Sequence, residues 1–304
     1  MNSHNRETAI TARDLRKTYD KKVDALKHMS LDVRKGEVFT ILGPNGAGKT
    51  TFLRILCTQL MPTSGEAHIL GKSVLSEPEA VRETIAMVPQ DAMAYANFTP
   101  WDYAYNFCLL RGMDKAKSRK NAEESLKAML MWDMKDKPCQ SMSGGEKRRA
   151  LIAATLASDA QVMMLDEPTS GLDAIGRRNV WSALRDRAAQ GKTIILTTHM
   201  MDEAEMVSDR LAIINKGELI IVGTTSEIKK KVPFRYRVIV PESEIDKSKF
   251  TEMTKIGDRL VIYLKTDEEA IELVRDMLRK GVQAEAAPVT LEDAFVRLAG
   301  GELQ

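Results

Sequence analysis

Residues 43 to 50 read GPNGAGKT, a match to GxxxxGK[ST]. An apolar run, VFTIL at 38 to 42, precedes it, and the spacing predicts a helix over about 49 to 60 after it. A strand, a glycine-rich loop and a helix start, in that order, make a phosphate-sized cup of backbone N–H groups backed by the positive end of a helix. Gly43, Pro44, Asn45, Gly46, Ala47, Gly48, Lys49, Thr50 and Thr51 are expected to line that cup. Lys49 would reach the β- and γ-phosphates and Thr50 would ligate Mg²⁺. A plain glycine-rich turn would give no reason for a lysine and a threonine at those two places.

VMMLDE at 162 to 167 supplies a second half. It is an apolar strand that delivers Asp166 and Glu167 at its carboxyl end, where ligands of parallel sheets bind. Asp166 is expected to hold Mg²⁺, and Glu167 to polarise an attacking water as general base. A third stretch, SMSGGEKRRALIAATLASD at 141 to 159, is helical in spacing but opens on two glycines. Each glycine costs a helix roughly 1 kcal/mol relative to alanine, so Gly144 and Gly145 imply a demand for bare backbone. Ser143 and Glu146 in the same stretch spell an S-x-x-E capping box.

The elements that position these residues belong to an α/β fold. Residues 8 to 40 read as short strands joined by turns, an antiparallel start. VFTIL, QVMMLDE and TIILTTH are near-continuous apolar runs, the pattern of strands covered on both faces of a mainly parallel sheet. Between about 91 and 158 strand signals vanish and three segments show helical spacing, a helical insertion. RLAIINKGELIIVGT reads as a hairpin turning at NKGE. The expected division is 1–225 for the nucleotide-binding part and 226–304 for a small α+β domain: strands RYRVIV and RLVIYL, a helix DEEAIELVRDMLRKG, a strand AEAAPV and a helix opening at Thr290.

The 304 residues carry Lys+Arg 45 against Asp+Glu 43, a formal net charge of +2, so no global field argues for nucleic acid or an anionic membrane. The EKRR and KKK runs are short and read as solvated faces. Cys57, Cys108 and Cys139 are far apart, in no CxxC pairing, and give neither a disulfide framework nor a metal site. MNSHNRETAI has no apolar h-region, and no apolar run nears the roughly 20 residues that cross a bilayer.

Over about residues 8 to 225 the chain closely resembles the ATP-binding subunits of ABC transporters. The matching elements stand in that family's order: Tyr19 in KTYD, the glycine-rich loop, Gln90 in MVPQD, SMSGGEKRR, the Asp166 and Glu167 strand, SGLD at 170 to 173, and His199 in TTH. The resemblance implies a P-loop NTPase cassette that pairs head to tail with a second ATP-binding subunit, identical or not, trapping two ATP molecules. Ser143, Gly144 and Gly145 would then cap the ATP held by the opposite subunit, and Asp173 would cross the interface. Tyr19 would stack on adenine, Gln90 would orient water or touch Mg²⁺, and His199 would hydrogen-bond the γ-phosphate.

The resemblance further implies transmembrane permease subunits as separate partners, no nucleic acid, and a cytoplasmic place on the inner face of the membrane. YANFTPWDYAYNF is the expected contact region for the permease. The tail, ending TLEDAFVRLAGGEL, is similar to the C-terminal extension of exporter-type subunits of the drug-resistance and ABC-2 branch. That similarity favours export; import, or a non-transport ATPase acting on ribosomes or DNA, are the alternatives. Met142 and Glu146 depart from the family's usual Leu and Gln. The first change conserves volume, and the capping box gives the second a structural reason.

Overall fold

The structure, a computed structural model, describes residues 7–20 and 22–299. The polar N-terminal stretch lies mostly outside the described residues. The chain divides after Val222 into two compact units.

In the first unit, strands β1 (Thr8–Tyr19), β2 (Val23–Arg34) and β3 (Val38–Leu42) lead to helix α1 (Lys49–Leu56). Strands β4 (Ser64–Ile69) and β5 (Lys72–Ser73), helix α2 (Pro78–Thr84) and strand β6 (Ile85–Val88) follow. Three helices come next, α3 (Pro100–Leu110), α4 (Lys115–Ala128) and α5 (Gly144–Ala157). The unit closes with β7 (Val162–Asp166), α6 (Ala174–Ala189), β8 (Thr193–Thr198), α7 (Met201–Val207), β9 (Arg210–Asn215) and β10 (Glu218–Gly223).

Six strands form the central sheet in the order β10-β9-β3-β8-β7-β6, and every pair from β9 across to β6 is parallel. β3, β7 and β8 are buried at every residue because both faces are covered. Alternation sends Met163, Leu165, Ile194 and Leu196 into one core with Ala122, Leu126 and Ile152 of the helical region. Val162, Met164 and Ile195 face the other core, with Phe52 and Ile55 of α1 and the inner residues of β1, β2 and β4. The four strands β2-β1-β4-β5 make a separate antiparallel sheet on that side.

The sequence reading of 91–158 as helical holds: α3, α4 and α5 span it. β1 and β2 are not short strands but 12 residues each, bent by register shifts at Ala12/Leu15 and Leu15/Lys17. β4, β5 and β6 went unread. SGEAHI is polar, and Gly65 has φ +85 with its Cα so close to β1 that a Cβ would lie 2.2 Å from the Asp14 carbonyl oxygen. Pairing with β1, rather than any strand propensity of its own, makes this segment a strand. The β9–β10 hairpin turns on Lys216 and Gly217, both at positive φ, as the right-handed strand twist requires of a two-residue loop.

The second unit starts with helix α8 (Thr225–Lys229) and contains strands β11 (Tyr236–Pro241), β12 (Met253–Ile256) and β13 (Arg259–Leu264), helix α9 (Asp267–Arg279), strand β14 (Glu285–Pro288) and helix α10 (Leu291–Leu298). Its sheet runs β12-β13-β11-β14, antiparallel throughout. Val238, Val240, Leu260 and Ile262 pack on Ala270, Leu273 and Met277 of α9. Asp293 joins α10 to this sheet: it completes a capping box with Thr290 and accepts from the Tyr263 hydroxyl at 3.0 Å and from Arg237 at 3.4 Å. Asp293→Ala leaves both donors unpaired and removes the cap, so it should destabilise this unit by about 2–4 kcal/mol. A denaturant melt of the purified variant, with limited proteolysis to locate the cleavage, measures this; an unchanged midpoint would refute the role.

Candidate functional site

Parallel pairing places the carboxyl ends of β3, β8, β7 and β6 side by side. Leu42 pairs with Thr198, Asp166 with Thr197, and Val88 with Leu165. Gly43, His199 and Glu167 follow directly and Gln90 comes one residue later, after Pro89, so one edge of the sheet collects four segments far apart in sequence. This is the edge at which open α/β sheets bind ligands.

The loop after β3 is tight for a stated reason. A Cβ on Gly43 would lie 2.3 Å from the Ile214 carbonyl oxygen, and one on Gly48, at φ +102, 2.4 Å from that of Ala25. α1 begins directly after Gly48, with no side-chain cap, whereas α3 to α6 are capped by Thr99, Asp114, Ser143 and Asp173. Its first-turn amides therefore lack the internal acceptor that those four helices have, as an anion site requires. The Lys49 ammonium is buried, donating to the carbonyls of Gly43 at 2.8 Å and Pro44 at 3.1 Å. Burial pulls its pKa down and the nearby Glu167 carboxylate pulls it back up.

Glu167 is the hub. Its Oε1 lies 3.4 Å from Lys49 Nζ and 3.1 Å from His199 Nδ1, and its Oε2 accepts from Gln90 Nε2 at 3.3 Å. Its backbone is left-handed, φ +47, a conformation that costs a non-glycine residue of order 1–3 kcal/mol and is found at functional sites. Two bonds from Thr197, its carbonyl and its hydroxyl, hold the Glu167 amide. The Thr197 hydroxyl also donates to Asp166 Oδ1. Asp166 Oδ2 is buried with no hydrogen-bond partner, which suits a carboxylate whose ligand is a cation. The Tyr19 hydroxyl lies 3.4 Å from that of Thr51, with its ring partly exposed, so Tyr19 flanks the start of α1.

Ser143, Gly144 and Gly145 stand apart from that carboxylate hub. They line a cleft of about 780 Å³ with Gln90, Ser170 and Asp173. The capping box is present: Glu146 Oε2 accepts from the Ser143 amide at 2.7 Å, and Ser143 Oγ accepts from the Glu146 amide at 3.2 Å. Those bonds hold the Glu146 carboxyl below its ordinary pKa. The two glycines differ. A Cβ on Gly145 would press on Leu172 at 3.2 Å, whereas one on Gly144 would meet nothing within 4 Å. Asp173 caps α6, its Oδ1 accepting from the Gly176 amide at 2.7 Å.

One expectation is overturned. Arg148 of EKRR is no solvated charge but buried, donating to five backbone carbonyls. It lies four residues before Ile152 on α5, so helical spacing puts it on the buried face; the charge run hid this. Glu203 was also missed. It is buried and accepts from the Thr169 hydroxyl at 2.7 Å and Trp181 Nε1 at 2.9 Å, and burial raises its pKa. The three cysteines are free and buried, burial pushing Cys57 up to about 12.

A phosphate cup after the central strand β3 and paired carboxylates at the end of β7, two places across the sheet, define a P-loop nucleotide-binding protein. The family described as ABC transporter matches residues 26–170. Nod factor export ATP-binding protein I of Ralstonia nicotianae is 33% identical, over 97% of this chain and 95% of its own length. Daunorubicin resistance ATP-binding protein DrrA3 of Streptomyces coeruleorubidus is 34% identical over 97% of each. The chain spans only 17% of ATP-binding cassette sub-family A member 17 of Mus musculus, with 33% identity. A dimeric ATP-binding cassette in a post-hydrolysis state with ADP and Pi superposes with TM-score 0.65 and 25% identity, covering 71% of this chain and 98% of that one. The chain belongs to the ABC transporter family, as an ATP-binding cassette protein.

Because the Glu146 carboxylate turns back onto its own helix, Glu146→Gln keeps the cap and should leave ATP turnover within a factor of about ten. A steady-state ATPase assay decides: a larger change, about 1.4 kcal/mol or more in barrier, would mean that this side chain reaches the nucleotide.

Proposed function

We propose that the chain is the ATP-hydrolysing motor subunit of an export-type ABC transporter, driving substrate movement through separate permease subunits. The convergence of Lys49, Gln90 and His199 on Glu167, beside the unpartnered Asp166 Oδ2, carries this reading. Backbone amides of the loop and helix start after Pro44, together with Lys49, bind the phosphates of ATP, and the Tyr19 ring stacks on adenine. Thr50, Asp166 and Gln90 are the residues to hold Mg²⁺, whose charge would offset that of the β- and γ-phosphate oxygens. Glu167 accepts the proton of the attacking water, and His199, already hydrogen-bonded to Glu167, holds the γ-phosphate.

Two subunits complete the site. Gly144 has open space on its Cβ side, so the demand for a bare backbone comes from outside this chain. The γ-phosphate of an ATP bound by a second subunit meets that demand, with Ser143 and the first amides of α5 as donors and Asp173 at the interface. The dimeric relative with ADP and Pi supports the pairing.

The permease contact lies in the helical region. Met87, Pro89, Tyr103, Phe107 and Leu151 line an apolar groove of about 190 Å³, close to Gln90. Tyr95 and Met93 beside it are largely exposed, whereas Trp101 stacks on Tyr105 at 5.5 Å and packs against the core. A short amphipathic helix of the permease fits such a groove. Among the described residues no helix is long and apolar enough to cross a membrane, which is consistent with a peripheral subunit on the cytoplasmic face. The near full-length relatives named for export and for daunorubicin resistance support export over import.

Glu167→Gln should lower turnover at least about a hundredfold, as loss of a general base does, and accumulate an ATP-bound dimer. Size-exclusion chromatography with MgATP that shows only monomer would count against the paired site. Gly144→Ala separates fold from function: melting temperature unchanged or raised, in line with a helix gain of up to roughly 1 kcal/mol, and ATPase activity lost. Full activity in that variant would remove the reason given for the glycine.

A further inference from the structure

Arg148 stands on the second turn of α5, the helix whose first turn presents Ser143, Gly144 and Gly145. All three guanidinium nitrogens are spent on carbonyls. Nη1 donates to Pro89 at 2.6 Å and Gln90 at 3.3 Å, Nη2 to Asp166 at 2.5 Å and Glu167 at 3.1 Å, and Nε to Pro168 at 3.3 Å. These are backbone atoms just after β6 and at the end of β7 and just beyond it, and three of them belong to Gln90, Asp166 and Glu167.

The side chain is 8% exposed and forms no ion pair among the described residues. Burial pulls the Arg148 pKa down, and the nearby Asp166, Glu167 and Asp91 carboxylates pull it back up without pairing with it. Burying a guanidinium on such terms is an expensive way to stabilise a fold, and an apolar side chain of similar volume is commonly as good or better. What a planar five-donor fork supplies is geometry, fixing several acceptors relative to one another and to the helix that carries it. It thereby holds Glu167 in its left-handed conformation, and it ties two loop ends to α5.

We propose that Arg148 is a positioning residue that couples the two half-sites of this chain. One half is the nucleotide site built on its own Lys49, Gln90 and Glu167; the other is the Ser143–Gly145 segment that caps the second subunit's ATP. The inference rests on the paired-site reading above. A shift of Gln90 or Glu167 on its own nucleotide moves the Arg148 anchor, and α5 carries that movement to the segment facing the other nucleotide. The reverse follows by linkage.

The test compares wild type, Arg148→Met and Arg148→Lys as full chains, reading melting temperature, kcat, the Hill coefficient for ATP, and the Kd for MgATP by fluorescence of a labelled nucleotide. Arg148→Met should lower kcat at least about thirtyfold and bring the Hill coefficient to about 1, with Kd within about threefold, the signature of a lost transition-state arrangement rather than of lost binding. Arg148→Lys, which keeps the charge but not the fork, should fall between, with kcat still at least about fivefold below wild type. The proposal is overturned if either variant keeps kcat within about threefold of wild type, or loses MgATP binding in proportion to kcat, as a merely structural role would have it. Where Arg148→Met does not fold, Arg148→Lys decides by the same two criteria. Failure of the underlying reading shows elsewhere, as a wild-type chain that neither binds nor hydrolyses MgATP.

Discussion

A single buried carboxylate organises this molecule. Glu167 lies against the Lys49 ammonium, the Gln90 amide and the His199 imidazole, one from each of the three other strand ends on the same edge of the sheet. That meeting is possible only because β3, β8, β7 and β6 are parallel neighbours in fixed register. A one-residue slip of any strand would turn its buried side chains to the opposite core and carry its terminal residue away from the hub. The two hydrophobic cores thus have a consequence at the sheet edge: they fix the register, and the register brings the four side chains together.

The glycines that open α5 look redundant in sequence but have separate causes. Gly145 has a reason within the chain, because a Cβ there would press at 3.2 Å on the Leu172 side chain of the loop after β7. Gly144 has no such neighbour, and helix propensity argues against it. A residue that weakens its own helix and satisfies no contact in its own chain points to a contact elsewhere. The Ser143–Glu146 capping box compensates locally, holding the helix start in place while leaving that backbone bare.

What could be read from the sequence was chemistry with a local signature. GPNGAGKT, LDE and SGG declare themselves because glycine conformations, a strand end and a helix start are properties of neighbouring residues. Strands β3, β7 and β8 were readable because burial on both faces leaves a continuous apolar run. β4 and β5 were not, since their residues are mostly polar and become strands only by pairing, β4 with β1 and β5 with β4. β12, with two of its four residues exposed, likewise depends on β13. Arg148 and Glu203 were missed for a related reason. A charged side chain is expected in water, and only tertiary structure reveals the carbonyls or hydroxyls that take it inside.

Those two buried charges act on one segment from opposite ends. Between β7 and α6 the chain runs from Asp166 to Asp173. Its first three carbonyls, of Asp166, Glu167 and Pro168, accept from the Arg148 cation. The next side chain, Thr169, donates its hydroxyl to the buried Glu203 carboxylate, which Trp181 of α6 also holds. Asp173 then closes the segment as the cap of α6. A cation gathers acceptors at one end and an anion gathers donors at the other, so a loop with one strained residue is fixed by polar contacts that water could not hold as firmly. Pre-organisation of this kind lets a site stabilise developing charge without rearranging first. It also explains how a loop so poor in apolar residues can bury Asp166 to Thr169.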